Sequence, residues 1–136
     1  MANQVVPYIF FYGRCAEALE FYQKVFGGNS EIMRVGDSPM ASEMPPGSEN
    51  RVMHASFTSD IVSLMASDGQ DLKDVDPEAG NISLALQFDD GQRGEQIFNA
   101  LSAGGNVGMP LGPAFWGGRF GSVTDEFGTE WMFTLP

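Results

Sequence analysis

The chain is poor in the residues that most often carry recognisable chemistry. Among its 136 residues there is one cysteine, Cys15, and one histidine, His54. A lone cysteine excludes an intrachain disulfide. A lone histidine excludes a two-histidine metal centre, and no Ser–His–Asp or Cys–His arrangement is legible. Basic residues are scarce too: seven Lys and Arg stand against 18 Asp and Glu, a formal charge of −11. That balance argues against nucleic-acid partners and against anionic membrane surfaces. No apolar run approaches the ~20 residues of a membrane helix, and the N-terminus has neither the basic start nor the apolar core of a signal peptide. A cytoplasmic location is the expectation. Cys15 reads as a small residue near a helix start rather than a reactive thiol.

What is abundant is glycine (17), phenylalanine (11) and methionine (8), in a chain of one domain's length that is 43% hydrophobic. Val5–Tyr12 (VVPYIFFY) predicts a buried strand, with Pro7 at an edge or bulge. Leu19, Tyr22 and Phe26, with Ala18 and Val25 beside them, give a helical apolar face ending at Gly27-Gly28-Asn29. Glu20 and Lys24 form an i,i+4 pair on its wet side. Strands are expected at 31–35, 51–58 and 61–67, with a long loop over 37–50. The segment 68–81 holds five acids and reads as a solvated connector. Its Asp74-x-Asp76-x-Glu78 mimics a calcium loop for three positions only. A strand at 82–88, a helix at 92–103, a short strand at 107–109, a loop at 111–118 and a hairpin from 119–124 and 130–135 complete the chain.

The two halves superpose in sequence. Phe11, Phe21, Gly27, Gly28 and Asn29 recur as Phe88, Phe98, Gly104, Gly105 and Asn106, each displaced by 77 positions (88 − 11). The order strand, helix, three strands also occurs twice. One such unit cannot close its own core, so two are expected to pair.

These features resemble the vicinal-oxygen-chelate superfamily, which holds glyoxalase I, bleomycin-binding proteins, fosfomycin-modifying enzymes and extradiol dioxygenases. The residues carrying the likeness are Pro7-Tyr8-Ile9-Phe10-Phe11 and the helix from Ala16 to Gly28. Met53-His54-Ala55 with Met65-Ala66-Ser67-Asp68, the run Trp116–Gly121 and the run Thr124–Trp131 are similar to its PhnB-like branch, also described as demethylubiquinone methyltransferase-like. The resemblance implies an α+β fold, two β-α-β-β-β modules (about 4–68 and 81–136) forming a cup-shaped curved mixed sheet in one domain. It also implies a homodimer. Superfamily enzymes hold a divalent metal at places that fall on Pro7, Met65, Ser83 and Met132 here. None of these is a good ligand, so no metal and no cofactor is expected. Nor does any strand lead into a glycine-rich loop opening a helix, as an adenosyl or dinucleotide cofactor usually requires.

Strand parity supplies a candidate lining. Ser63, Met65 and Ser67 oppose Val62, Leu64 and Ala66. Ser83, Ala85 and Gln87 oppose Ile82, Leu84, Leu86 and Phe88. Glu130, Met132 and Thr134 oppose Trp131, Phe133 and Leu135. The bulky sets should pack on the helices and the small or polar sets should face a ligand or solvent. The candidate ligand-binding residues are Met65, Ser83, Gln87, Trp116, Arg119 and Met132. Arg119 is read either as an anion clamp or as the partner of an acid. His54 and Glu130 are candidate catalytic groups, although His54 reads first as a structural histidine bonded to a neighbouring backbone or hydroxyl group. Two functions follow: a metal-free binder of a small apolar or aromatic compound, or a small-molecule enzyme (lyase, isomerase or transferase).

Overall fold

The structure is a computed structural model that describes residues 3–69 and 80–136. They form two compact units, one on each side of the intervening segment. The calcium-loop-like stretch and most of the acidic connector lie outside the described residues.

The first unit contains β1 (Tyr8–Phe10), α1 (Cys15–Phe26), β2 (Asn29–Arg34), β3 (Val52–Thr58) and β4 (Ser63–Ser67). Its sheet runs β1-β4-β3-β2, with β1 parallel to β4 and the other pairs antiparallel. Pro7 sits just before an edge strand, where its missing N–H costs no ladder bond, and its carbonyl accepts from Met65 N–H at 2.9 Å. The second unit repeats the plan with β5 (Leu84–Gln87), α2 (Gly91–Ser102), β6 (Asn106–Pro113), β7 (Arg119–Thr124) and β8 (Glu130–Leu135), in sheet order β5-β8-β7-β6. The fold is α+β, two four-stranded mixed sheets each with one helix.

Each helix buries the face its spacing predicts. In α1 Ala18, Leu19, Tyr22 and Phe26 are buried, together with Cys15. Tyr22 and Phe26 lie against Phe57 of β3, both with ring centroids 6.3 Å away. In α2 Gly94, Ile97, Phe98 and Leu101 are buried, and Phe98 meets Phe133 edge-on at 5.0 Å. Such aromatic pairs add specificity to the area they bury. The Glu20–Lys24 pair forms at 3.7 Å on the exposed side, where it contributes little.

The repeat is visible in the register. Tyr8 pairs with Met65, and Ala85, 77 positions on from Tyr8, pairs with Met132. By Met132 the displacement has fallen to 67, because 17 residues join β2 to β3 while five join β6 to β7, a loss of 12 offset by the two extra residues of β6 (eight against six in β2). The repeated glycines have a shared cause. A Cβ on Gly28 would collide with the carbonyl oxygen of Thr58, and one on Gly105 with that of Thr124. Both sit where the chain leaving a helix crosses the end of a strand.

Several expectations need correction. The segment 37–50 is not featureless: short 3-10 turns occupy Val35–Asp37 and Ala41–Glu43, and its neck closes through Gly36 N–H to the Glu49 carbonyl. Strand β6 runs to Pro113, so the expected loop at 111–118 shrinks to 114–118. Edge position lets Pro110 and Pro113 stand in it. Ile82 does not pack on a helix. It precedes β5 and is 82% exposed, because pairing begins only at Leu84. Asp68 is buried rather than solvated.

The close approach at Gly28 predicts a graded pair of substitutions. Gly27 has open space around its Cβ position, so Gly27→Ala carries only the penalty of a positive-φ, extended-ψ backbone (φ 74°, ψ −158°), about 1–3 kcal/mol. Gly28→Ala adds the collision with Thr58 and should cost about 2–4 kcal/mol. Urea midpoints of the two variants read the difference directly.

Candidate functional site

The organisation of the first sheet starts from one carboxylate. Arg14 gives α1 no side-chain cap. Asp68, just past β4, does so instead: Cys15 N–H donates to Oδ1 at 2.9 Å and Val52 N–H to Oδ2 at 2.7 Å. The Asp68 N–H returns a bond to the Val52 carbonyl at 3.0 Å. The strand-to-helix turn is thereby clamped between β3 and β4. Within that turn Tyr12 takes a left-handed backbone (φ 48°), which a non-glycine side chain adopts only when its surroundings impose it.

Its ring continues a run of aromatics on the sheet face turned away from α1. Tyr8 and Phe10 lie 5.3 Å apart by ring centroid, Phe10 and Tyr12 6.3 Å apart. Gly69 passes close beneath the Phe10 and Tyr12 rings, and its carbonyl accepts from Arg51 Nη2. The Tyr8 hydroxyl and His54 Nδ1 share a hydrogen bond of 3.2 Å, with the two rings 5.7 Å apart. Met65 is the register neighbour of both Tyr8 and Ser56. Tyr8 and Phe10 are exposed, while Tyr12, His54 and Met65 are half-buried.

On the second sheet the parity predicted for β8 holds: Trp131, Phe133 and Leu135 are buried, Met132 and Thr134 half-buried, Glu130 exposed. Met132 stands between Ala85 and Ser122, and Gln87 pairs in register with Thr134. The Ser83 hydroxyl donates to Glu130 Oε1. Trp116 rests edge-on against Phe120 at 5.6 Å and Phe115 at 4.8 Å, at the tip of the β6–β7 hairpin. Arg119 alternates with Phe120 and falls on the helix side, where Nη1 reaches Glu95 Oε2 of α2 at 3.2 Å. Of the two readings of Arg119, the geometry is that of the partner of an acid.

The candidates therefore divide. His54 and Met65 share the first sheet. Ser83, Gln87, Glu130, Met132 and Trp116 belong to the second unit, with Arg119 on its helix side. Tyr8, Phe10 and Tyr12 were missed. Their signal was the i, i+2, i+4 spacing of aromatics inside a run that reads as uniformly apolar.

A model of the 3-demethylubiquinone-9 3-methyltransferase family, which is PhnB-like, matches residues 3–134. The chain belongs to this family. It is similar to protein PA1353 from Pseudomonas aeruginosa (38% identity, TM-score 0.84, 98% of each chain covered). It is also similar to the PhnB protein from Bacillus cereus (27% identity, TM-score 0.75, covering 98% of this chain and 100% of that one). A glyoxalase/bleomycin resistance protein/dioxygenase family enzyme from Burkholderia phytofirmans shares the fold at 12% identity (TM-score 0.62, 98% of each chain covered).

The residues of this PhnB-like chain do not fit the groups its relationships imply. At the places the superfamily uses for metal, Pro7 has no donor, Met65 and Met132 offer thioethers, and the Ser83 hydroxyl is engaged with Glu130. Among the described residues no three His, Cys, Asp or Glu side chains converge. For an adenosyl cofactor, both helix N-termini already hold carboxylates: Asp68 on α1, and Asp90 on α2 through Gln92 and Arg93 N–H. Both glycine pairs follow helices. No helix among the described residues is long and apolar enough to cross a membrane.

Burial, reinforced by the Asp68 charge, pushes the Cys15 thiol from 9.0 up to about 12. The folded chain therefore keeps this proton after the unfolded chain has lost it. Cys15 contributes stability below pH 9 that is lost as pH rises towards 12. Folded protein at pH 8 should resist iodoacetamide until urea unfolds it. Asp68→Ala should cost about 2–4 kcal/mol, by leaving two buried N–H groups without their acceptor; urea denaturation measures it.

Proposed function

We propose that this chain is a small-molecule-binding protein of the glyoxalase/bleomycin-resistance type that takes an apolar or aromatic compound without a metal. The observation that carries this reading is the aromatic run Tyr8, Phe10 and Tyr12 on an open sheet face, bordered by His54 and Met65. Rings in offset contact offer a stacking surface, and a methionine adapts to the edge of a varied ligand. Met132, Ser83, Gln87 and Trp116, all on the second unit, are the candidate lining of a separate surface there and are not part of the first-sheet face. Arg119 is left out because Glu95 occupies it. The metal-free part of the reading is supported by the donor chemistry at Pro7, Met65, Ser83 and Met132.

The Tyr8–His54 hydrogen bond favours a second reading, an enzyme of lyase or isomerase type. His54 would take a proton from an enolisable substrate while Tyr8 orients the imidazole. Glu130, held by Ser83, is the other candidate base. We further propose a homodimer acting in the cytoplasm. The superfamily resemblance supports the dimer, and a single buried cysteine suits a reducing compartment. Light scattering giving a monomer mass would contradict the dimer.

A thermal-shift screen of flat aromatic compounds, with calorimetric titration of zinc, manganese, nickel and magnesium, tests the main reading. Naphthalene- or quinoline-like compounds should raise Tm, Phe10→Ala should abolish the rise, and no metal should bind stoichiometrically. Tight metal binding, or a screen in which no aromatic compound stabilises the protein, would contradict it. Turnover lost in His54→Gln would move the assignment to the enzyme.

A further inference from the structure

The charge on the first sheet's open face is one-sided. The register sets out two rows across the strands. One is continuous, Tyr8, Met65, Ser56, Glu31; the other consists of two separate pairs, Phe10 with Ser67 and His54 with Met33. Ser63, Thr58 and Asn29 lie beyond the first row. Glu31 is the single Asp, Glu, Lys or Arg in this set. It is exposed, and it has no hydrogen-bond or ion-pair partner among the described residues.

None of the first unit's described cations pairs with Glu31: two are held by carboxylates, and two, bonded to neutral carbonyls, keep their charge away from it. Arg14 pairs with Glu17 at 2.7 Å, Lys24 with Glu20 at 3.7 Å, Arg34 donates to the Asn50 carbonyl at 2.6 Å, and Arg51 donates to that of Gly69. The face thus joins π-surfaces at the β1 edge to an unneutralised carboxylate at the β2 edge. Three strand spacings separate them, roughly 14 Å between backbones. Aromatic ring faces and a carboxylate both attract a cation and repel an anion.

Resting on the reading above, we infer that the ligand of this face is an aromatic amine: flat rings against Tyr8, Phe10 and Tyr12, and an ammonium group carried on a chain of several bonds to Glu31. Met65 and Ser56, lying between, suit the linking chain. Glu31 is the specificity residue. It sets which charge the ligand bears, whereas the rings set that it is aromatic.

The test uses the full chain and three probes, naphthalene bearing a four-carbon chain that ends in an ammonium, a hydroxyl or a carboxylate. Calorimetry at low salt should rank them in that order, the ammonium probe binding about threefold or more tighter than the hydroxyl probe. The preference should shrink in 0.5 M sodium chloride, where the Debye length is roughly 4 Å against about 30 Å at ~0.01 M. Glu31→Gln should bring the ammonium probe to the hydroxyl probe's affinity and leave the latter unchanged. Glu126→Gln, on the second unit, should leave the preference intact. Equal binding of ammonium and hydroxyl probes by the wild type would overturn the inference. So would a preference that survives Glu31→Gln, or one that Glu126→Gln removes to the same extent, since either outcome assigns it to the general acidity of the chain. In those cases a hydroxyl probe that still binds, and is lost with Phe10→Ala, leaves the aromatic-binding reading standing. If no probe binds, both fall.

Discussion

The bonds of Asp68 fix the part of the molecule on which the functional account rests. Its two oxygens hold the first N–H of α1 and the first strand residue of β3, and its own N–H closes a ring with Val52. A carboxylate at a helix start is favourable by itself; here it supplies α1 with a side-chain cap that the adjacent Arg14 does not. Because the clamp lies at the end of β4, it determines where the chain between β1 and α1 must turn. Tyr12 accepts a left-handed backbone in that turn, and its ring joins those of Phe10 and Tyr8. A loss at Asp68 would thus reach the open face through the backbone.

The second unit solves the same problem differently. Asp90 caps α2 locally, through Gln92 and Arg93, as a residue next to the helix ordinarily does. Its buried carboxylate, Asp125, instead ties the β7–β8 turn, accepting from Phe127 N–H, Thr129 N–H and Trp131 Nε1. Two copies of one plan therefore share glycines, helix stops and register, yet differ in what holds their corners. The long β2–β3 connection and the aromatic run both belong to the first copy. The exposed Phe115–Trp116 hairpin tip belongs to the second.

The order and type of every strand and α-helix could be read from periodicity, glycine stops and the internal repeat. Boundaries at edges were less legible. Proline normally signals the end of pairing, so β6 reads as shorter than it is. Ile82 reads as core because hydrophobicity alone does not show where pairing starts. Parity located Met65, Met132 and Glu130 on their faces correctly. It could not show that Arg119 would find Glu95, because that contact depends on how α2 lies across β7. Asp68 was hidden among connector acids, since a carboxylate's burial follows from the N–H groups around it and not from its neighbours in sequence. Tyr8, Phe10 and Tyr12 were concealed by the apolar residues between them.

Family membership supplies the fold and leaves the ligand open, so the functional claim stands on the open face of the first sheet. Amide and methyl shift mapping of the labelled protein with a naphthalene compound tests that claim most directly. The account predicts perturbations centred on Tyr8, Phe10, Tyr12, His54 and Met65, with the buried face of α1 unmoved. Perturbations confined to residues outside that face, with Tyr8 and Phe10 unaffected at saturation, would contradict it.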